Sequence, residues 1–229
     1  MMKKILLIIA IVFTVNAFAQ ATIGGSGASV NLASQENLRT MGFAFKQGDA
    51  LRNTEGSYYL FDNWENNCTV VMSDQQKLRI KNINLNLERH TFEAKIKGDS
   101  LFTFNFNNID RFVINGRTFK NFYWNDDNQV YEVIYESEEF QLLKGYRVLF
   151  VPASHDPMVK RPFDKYTRKE TYFLRRENEI APFKLKKSKV LKLFEKNEVD
   201  QIEAYASQQD LSFNDEEDVQ KLFQYSAKN

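Results

Sequence analysis

The chain has 229 residues, of which 43% are hydrophobic and 27% charged, with a formal net charge of +1 at pH 7. Twenty Phe and ten Tyr against only four Pro exclude a disordered chain and imply a packed globular body. The near-neutral balance, with no basic-aromatic motif, gives no reason to expect a nucleic-acid partner.

Residues 1–19 read as a signal peptide. MMKK is a basic start, ILLIIAIVFTV is an apolar run, and Ala17-Phe18-Ala19 has the small-large-small pattern of a cleavage site. The run is too short to span ~30 Å of hydrocarbon, which needs ~20 residues. The mature chain is expected to begin at Gln20, to be exported to the periplasm or beyond, and to carry no transmembrane segment. Cys68 is the single cysteine, so no intramolecular disulfide can form and the core alone must stabilise the exported chain.

Residues 20–55 open on ATIGGSGAS and show no sustained period, which predicts a flexible lead-in. Residues 56–185 read as an antiparallel β-rich domain. GSYYLFDNW (Gly56 to Trp64) has apolar bulk at both parities, which predicts a core strand covered on both sides, with a turn at Asp62-Asn63. In INLNL, Ile83, Leu85 and Leu87 alternate with Asn84 and Asn86, while Leu78 and Ile80 have the opposite parity. The chain must therefore turn or bulge near Lys81-Asn82.

Asn115-Gly116 predicts a two-residue hairpin pairing Ile114 with Arg117 and Phe112 with Phe119. Around Gly98 an odd-length loop is expected. A three-residue loop from Gly98 to Ser100 would put Ile96, Ala94 and Phe92 opposite Phe102, Phe104 and Phe106, whereas a two-residue loop would set Lys95 against Phe102. Further strands are predicted at Cys68–Met72, Val130–Tyr135, Tyr146–Val151 and Thr171–Arg175. The proline-bearing segment 152–169 reads as a long polar loop.

Residues 186–229 read as a helical cap of three short, one-sided helices. Ser188 is expected to cap the first and Asn197 with Asp200 to open the second. Asn214 with Glu217 forms a capping box for the third, whose Val219, Leu222 and Phe223 turn inward. The fold class is thus mainly β (α+β): an antiparallel meander, curled or closed into a barrel-like sheet, with short C-terminal helices packed on it. Residues 160–192 hold twelve Lys or Arg against four acids, and residues 193–229 hold three against nine. The simplest expectation is mutual neutralisation; the functional alternative is a basic patch for an anionic surface.

Two segments, GSYYLFDNW and the tail from LFEKNEVDQIEAYASQQDL to DEEDVQKLFQYS, resemble those of an uncharacterised family of exported bacterial β-rich proteins. The resemblance covers most of residues 56–227. It implies export and the order of the parts, and brings no activity or catalytic residue with it. Tyr58 stands where the family pattern would have proline.

No cofactor or metal pattern is legible. Ser154-His155-Asp156 are adjacent in an extended chain and so diverge, unlike a triad. Cys68, among apolar neighbours, reads as a structural thiol. Glu132, Glu136, Glu138 and Glu139 are acids without a catalytic pattern and are expected on a solvated face. The expectation is a non-enzymatic binding module of the cell envelope, meeting an envelope protein or an anionic surface. Tyr58, Trp64, Trp124, Arg175, Arg176, Lys186 and Lys187 are nominated as its binding surface. The alternatives are a β-barrel carrier of an apolar small molecule or lipid, and a hydrolase in which His90 or His155 meets a carboxylate and a hydroxyl.

Overall fold

At Asn82 the chain changes sheets. The computed structural model describes residues 22–23, 41–46, 54–96, 100–124, 127–154, 156, 158–159 and 161–228. Within them, β1 (Thr22–Ile23), β3 (Thr54–Glu55), β4 (Asn67–Met72) and β5 (Lys77–Lys81) belong to one ten-stranded sheet. So do β9 (Ile109–Ile114), β10 (Arg117–Trp124), β11 (Asp127–Glu136), β12 (Gln141–Val151), β13 (Asp164–Arg176) and β14 (Glu179–Phe183). The order is β1-β5-β4-β9-β10-β11-β12-β13-β14, with β3 beside β13. A second sheet, β2-β8-β7-β6, holds β2 (Gly42–Lys46), β6 (Ile83–Asn86), β7 (Thr91–Lys95) and β8 (Ser100–Phe104). Asn82, with φ 57°, makes the left-handed kink between β5 and β6 that the parity break demands.

The expected barrel-like closure is not met: both sheets are open. The parity break sends β6 to β8 across to face the first sheet instead of continuing it. Between the two sheets lies a core of rings. Phe92 of β7 stacks on Phe112 of β9 at 4.0 Å, and Phe104, Phe106 and Phe119 meet this pair edge-on. Phe92, Phe112 and Phe119 are fully enclosed.

The hairpin registers follow burial. Phe112 pairs with Phe119 and Ile114 with Arg117 across Asn115-Gly116, both with positive φ, as the Asn-Gly turn requires. Lys95 lies opposite Leu101 and Ala94 opposite Phe102, with Ile96 N–H bonded to the Ser100 carbonyl. The loop is odd-length, as expected, but the register is displaced by two residues, so that Phe102 faces Ala94 and not Ile96. The loop residues 97–99 themselves lie outside the described residues.

GSYYLFDNW is buried only at its middle and is not central. Tyr59 and Leu60 are enclosed, yet the segment makes a single bridge, Tyr59 to Asn86, and then bends. It runs along the free edge of β6, with Leu60 N–H on the Leu85 carbonyl and Leu87 N–H on the Tyr58 carbonyl. Asn84 holds its backbone: Oδ1 accepts from Phe61 N–H, and Nδ2 donates to the Phe61 carbonyl. The asparagines of INLNL thus face a covering segment rather than water. The lead-in also supplies strands, β1 beside β5, β3 beside β13, and β2 in the second sheet, where Met41 is fully buried.

Three helices cover the other end of the first sheet's inner face: α1 (Lys187–Val190), α2 (Val199–Gln208) and α3 (Glu216–Ser226). Val190, Ile202, Ala206, Val219, Leu222 and Phe223 pack on Ile134, Phe140 and Leu142 of the sheet. A bulge between Val133 and Tyr135 places both Ile134 and Tyr135 toward the helices, where Tyr135 stacks on Phe223 at 4.5 Å.

The capping residues differ from expectation. Lys186 precedes α1, with Ser188 inside it, and Glu198 precedes α2 without a side-chain cap. Asp215, not Asn214, caps α3 by accepting from Asp218 N–H, because Asn214 N–H is turned back onto Ser212 Oγ. Among the described residues no helix is long and apolar enough to cross a membrane.

Candidate binding surface

One cross-strand row on the inner face runs Val70, Phe112, Phe119, Glu132, Lys144, Tyr172, Phe183. Its ends lie in the two apolar cores and its middle is charged. Glu132 is buried and takes a bidentate fork from Arg117, Nε to Oε1 at 2.7 Å and Nη2 to Oε2 at 2.6 Å. The Tyr146 hydroxyl donates to Oε2. Lys144 reaches Glu170 and Glu216, each at 3.1 Å, which ties α3 to the sheet. Burial pushes the Tyr146 phenol up and the Glu132 charge pushes it further, so it stays protonated and donating. Burial alone would lower Lys144, but Glu216 and Glu170 outweigh it and hold the ammonium charged. Both Glu132 oxygens are engaged, which makes this layer a structural seam between the two cores and not a free acid–base pair. Glu132 therefore departs from the expected solvated face. Glu136 keeps to the outer face with Lys120, while Glu138 and Glu139 are exposed in the turn before β12.

The nominated residues fall into separate groups. Tyr58 and Trp64 both pack on Tyr59, at 4.6 and 4.8 Å, with the Lys95 ammonium over Trp64. Trp124 and Arg175 lie on the outer face around Phe122, where the guanidinium sits 4.6 Å from the ring. Arg176 is exposed at the end of β13. Lys186 and Lys187 are exposed at α1, and Lys187 pairs with Glu203 at 3.0 Å, one neutralising contact between basic segment and acidic tail. These seven residues are not brought together into one site.

His90 sits in the turn between β6 and β7. With Gln129, Tyr131, Arg147, Thr171 and Phe173 it lines a concavity with room for about one water, ≈ 20 Å³. Burial lowers its pKa, Asp127 partly opposes this, and Arg147 adds to it. Its buried Nδ1 has no hydrogen-bond partner among the described residues. His155 lies outside the described residues. Among the described residues no three His, Cys, Asp or Glu side chains group as metal ligands. Cys68 is buried, and that burial pushes its thiol far up, as befits a structural cysteine.

The surface feature that sequence reasoning missed is the β12–β13 hairpin. Strand β11 pairs with β12 only as far as Gly145, and β14 pairs with β13 only from Tyr172 onward. Beyond them, six cross-strand pairs from Tyr146–Glu170 to Val151–Lys165 extend the hairpin as a ribbon about 20 Å long, with β3 paired to Asp164 and Lys165 at its far end. The expected loop 152–169 is therefore a loop only to Phe163. Its far part, from Asp164, is strand, which the sequence hides because DKYTRKE carries charge at both parities. Nor is the loop polar. Leu149, Phe150, Met158, Val159 and Phe163 are all exposed, Met158 to 91%. They are five of the seven exposed large hydrophobic residues among those described. No protein-family model, no curated protein and no solved structure matches the chain.

Proposed function

We propose that the chain is an exported, non-enzymatic binding module acting at the cell envelope, in the periplasm or outside, and that the end of the β12–β13 hairpin is its recognition surface. The observation that supports this reading is the exposure of Leu149, Phe150, Met158, Val159 and Phe163, all from the end of one hairpin. Large apolar side chains left in water singly need no explanation, but a group at the end of a ribbon marks an interaction site. A polar hairpin end would form as well without them, so their presence is not a folding requirement.

The test is sedimentation of the mature chain with isolated cell envelope. Wild type is expected in the pellet. The triple variant Met158→Ser, Val159→Ser, Phe163→Ser is expected in the supernatant with an unchanged thermal unfolding midpoint. Equal sedimentation of the two proteins would contradict the assignment.

A further inference from the structure

Resting on that reading of the hairpin end, we propose that its partner is an anionic lipid surface, whose headgroup region receives the apolar tip while lipid phosphates meet the cations behind it. Three features of the ribbon point to lipid rather than to a protein groove.

The apolar residues are not confined to one face. Strand alternation puts Leu149 and Phe150 on opposite faces, and Met158, Val159 and Phe163 lie in the loop beyond them. A protein partner meets one face of a ribbon, whereas a lipid interface surrounds an inserted tip.

Two of the cations behind the tip are placed against their own stability. Arg147 and Lys169 are direct cross-strand partners on the outer face, and Lys165, between Val151 of β12 and Glu55 of β3, is on the same face. Like charges directly opposed weaken a sheet, and an anionic surface turns that repulsion into binding. Arg161 adds a fourth cation in the loop, with its Nε on the Pro152 carbonyl at 2.7 Å.

Described residues of the tip also bond one another's backbone groups, which lowers the cost of entry into a poorly hydrated layer. Ser154 N–H bonds the Arg161 carbonyl at 2.9 Å, Arg161 N–H the Val159 carbonyl at 2.7 Å, and Val159 N–H the Asp156 carbonyl at 2.9 Å. Met158 N–H is taken by Asp156 Oδ1 at 2.8 Å, and Ala153 N–H by Asp164 Oδ1 at 2.7 Å. Asp156 is an acid at the tip itself, which holds the depth of entry to the headgroup zone.

The experiment is co-sedimentation of the full mature chain with phosphatidylglycerol vesicles and with phosphatidylcholine vesicles. Wild type is expected to pellet with the first and not the second. Lys165→Gln with Lys169→Gln is expected to weaken binding roughly 25-fold, at about fivefold per lysine. Met158→Ser with Phe163→Ser is expected to weaken it by at least about tenfold. The substituted side chains are exposed, and an unchanged unfolding midpoint identifies variants whose fold is intact. Failure of wild type to pellet with phosphatidylglycerol, or equal binding by the lysine variant, overturns the lipid assignment. If envelope sedimentation still depends on the tip in that case, the recognition surface stands and its partner is a protein. If sedimentation velocity shows tip-dependent self-association without vesicle binding, the occupant is a second copy and the proposal falls. Envelope binding indifferent to the tip removes the reading beneath both.

Discussion

Single residues in this protein are placed by what their neighbours leave room for. Gly145 lies between Tyr131 and Phe173 on the outer face, where a Cβ would come within 2.8 Å of the Phe173 ring and 3.2 Å of Tyr131. Its lack of a side chain lets the two rings meet edge-on at 5.3 Å across it. His90 has the opposite character, a titratable group placed where its charged form is disfavoured. Burial holds its folded pKa below the ~6.5 of the unfolded chain, so its contribution to stability is present above about pH 6.5 and lost as pH falls through that value. The unfolding midpoint is therefore expected to drop between about pH 7.5 and pH 5.5. His90→Asn, which tolerates the φ of 49° at this turn, should reduce the drop. Thermal unfolding of both proteins at both pH values checks this, and an identical drop in each would contradict it. The burial of Cys68 was legible from its apolar neighbours. That of His90 was not, since it arises from strands β11 to β13, far away in sequence.

At the scale of elements, the two cores are joined through the Arg117–Glu132–Tyr146 seam of β10, β11 and β12. Removing Glu132 would leave Arg117 and the Tyr146 hydroxyl facing an apolar gap. Arg117 keeps 35% of its side-chain surface in water, which places the cost near the low end of the range for a broken buried pair. Glu132→Ala is expected to destabilise the fold by about 3 kcal/mol in urea denaturation, and a loss below about 1 kcal/mol would show the seam to be dispensable. The Asn115-Gly116 hairpin and the inward stripe of α3 were legible because each rests on local chemistry, a turn type and a helical period. The helix starts were less so, since several Asp, Asn and Ser compete for each N-cap and only the observed hydrogen bonds choose Asp215. The acids of β11 were unreadable for a similar reason. Alternation says that Glu132 and Glu136 lie within a strand, but the bulge at Ile134 puts one inside and the other outside.

The whole molecule follows from one junction whose consequence is not local. The opposite parity of Ile80 and Ile83 is plain in the sequence, and it can turn a strand within one sheet or pass it to another. Only the partners of Phe92 and Phe112 decide for two facing sheets over one closed sheet. The hairpin end was hidden for a complementary reason. DKYTRKE carries charge at both parities, so the outer part of β13 has no apolar face, and the prolines around Met158 draw attention away from its exposed neighbours. The central claim, that this end meets the envelope, is tested most directly by hydrogen–deuterium exchange of the mature chain with and without isolated envelope. Protection is expected to rise in residues 146–169 and to stay unchanged in α2 and α3. Protection gained across the helices, with the hairpin unaffected, would contradict it.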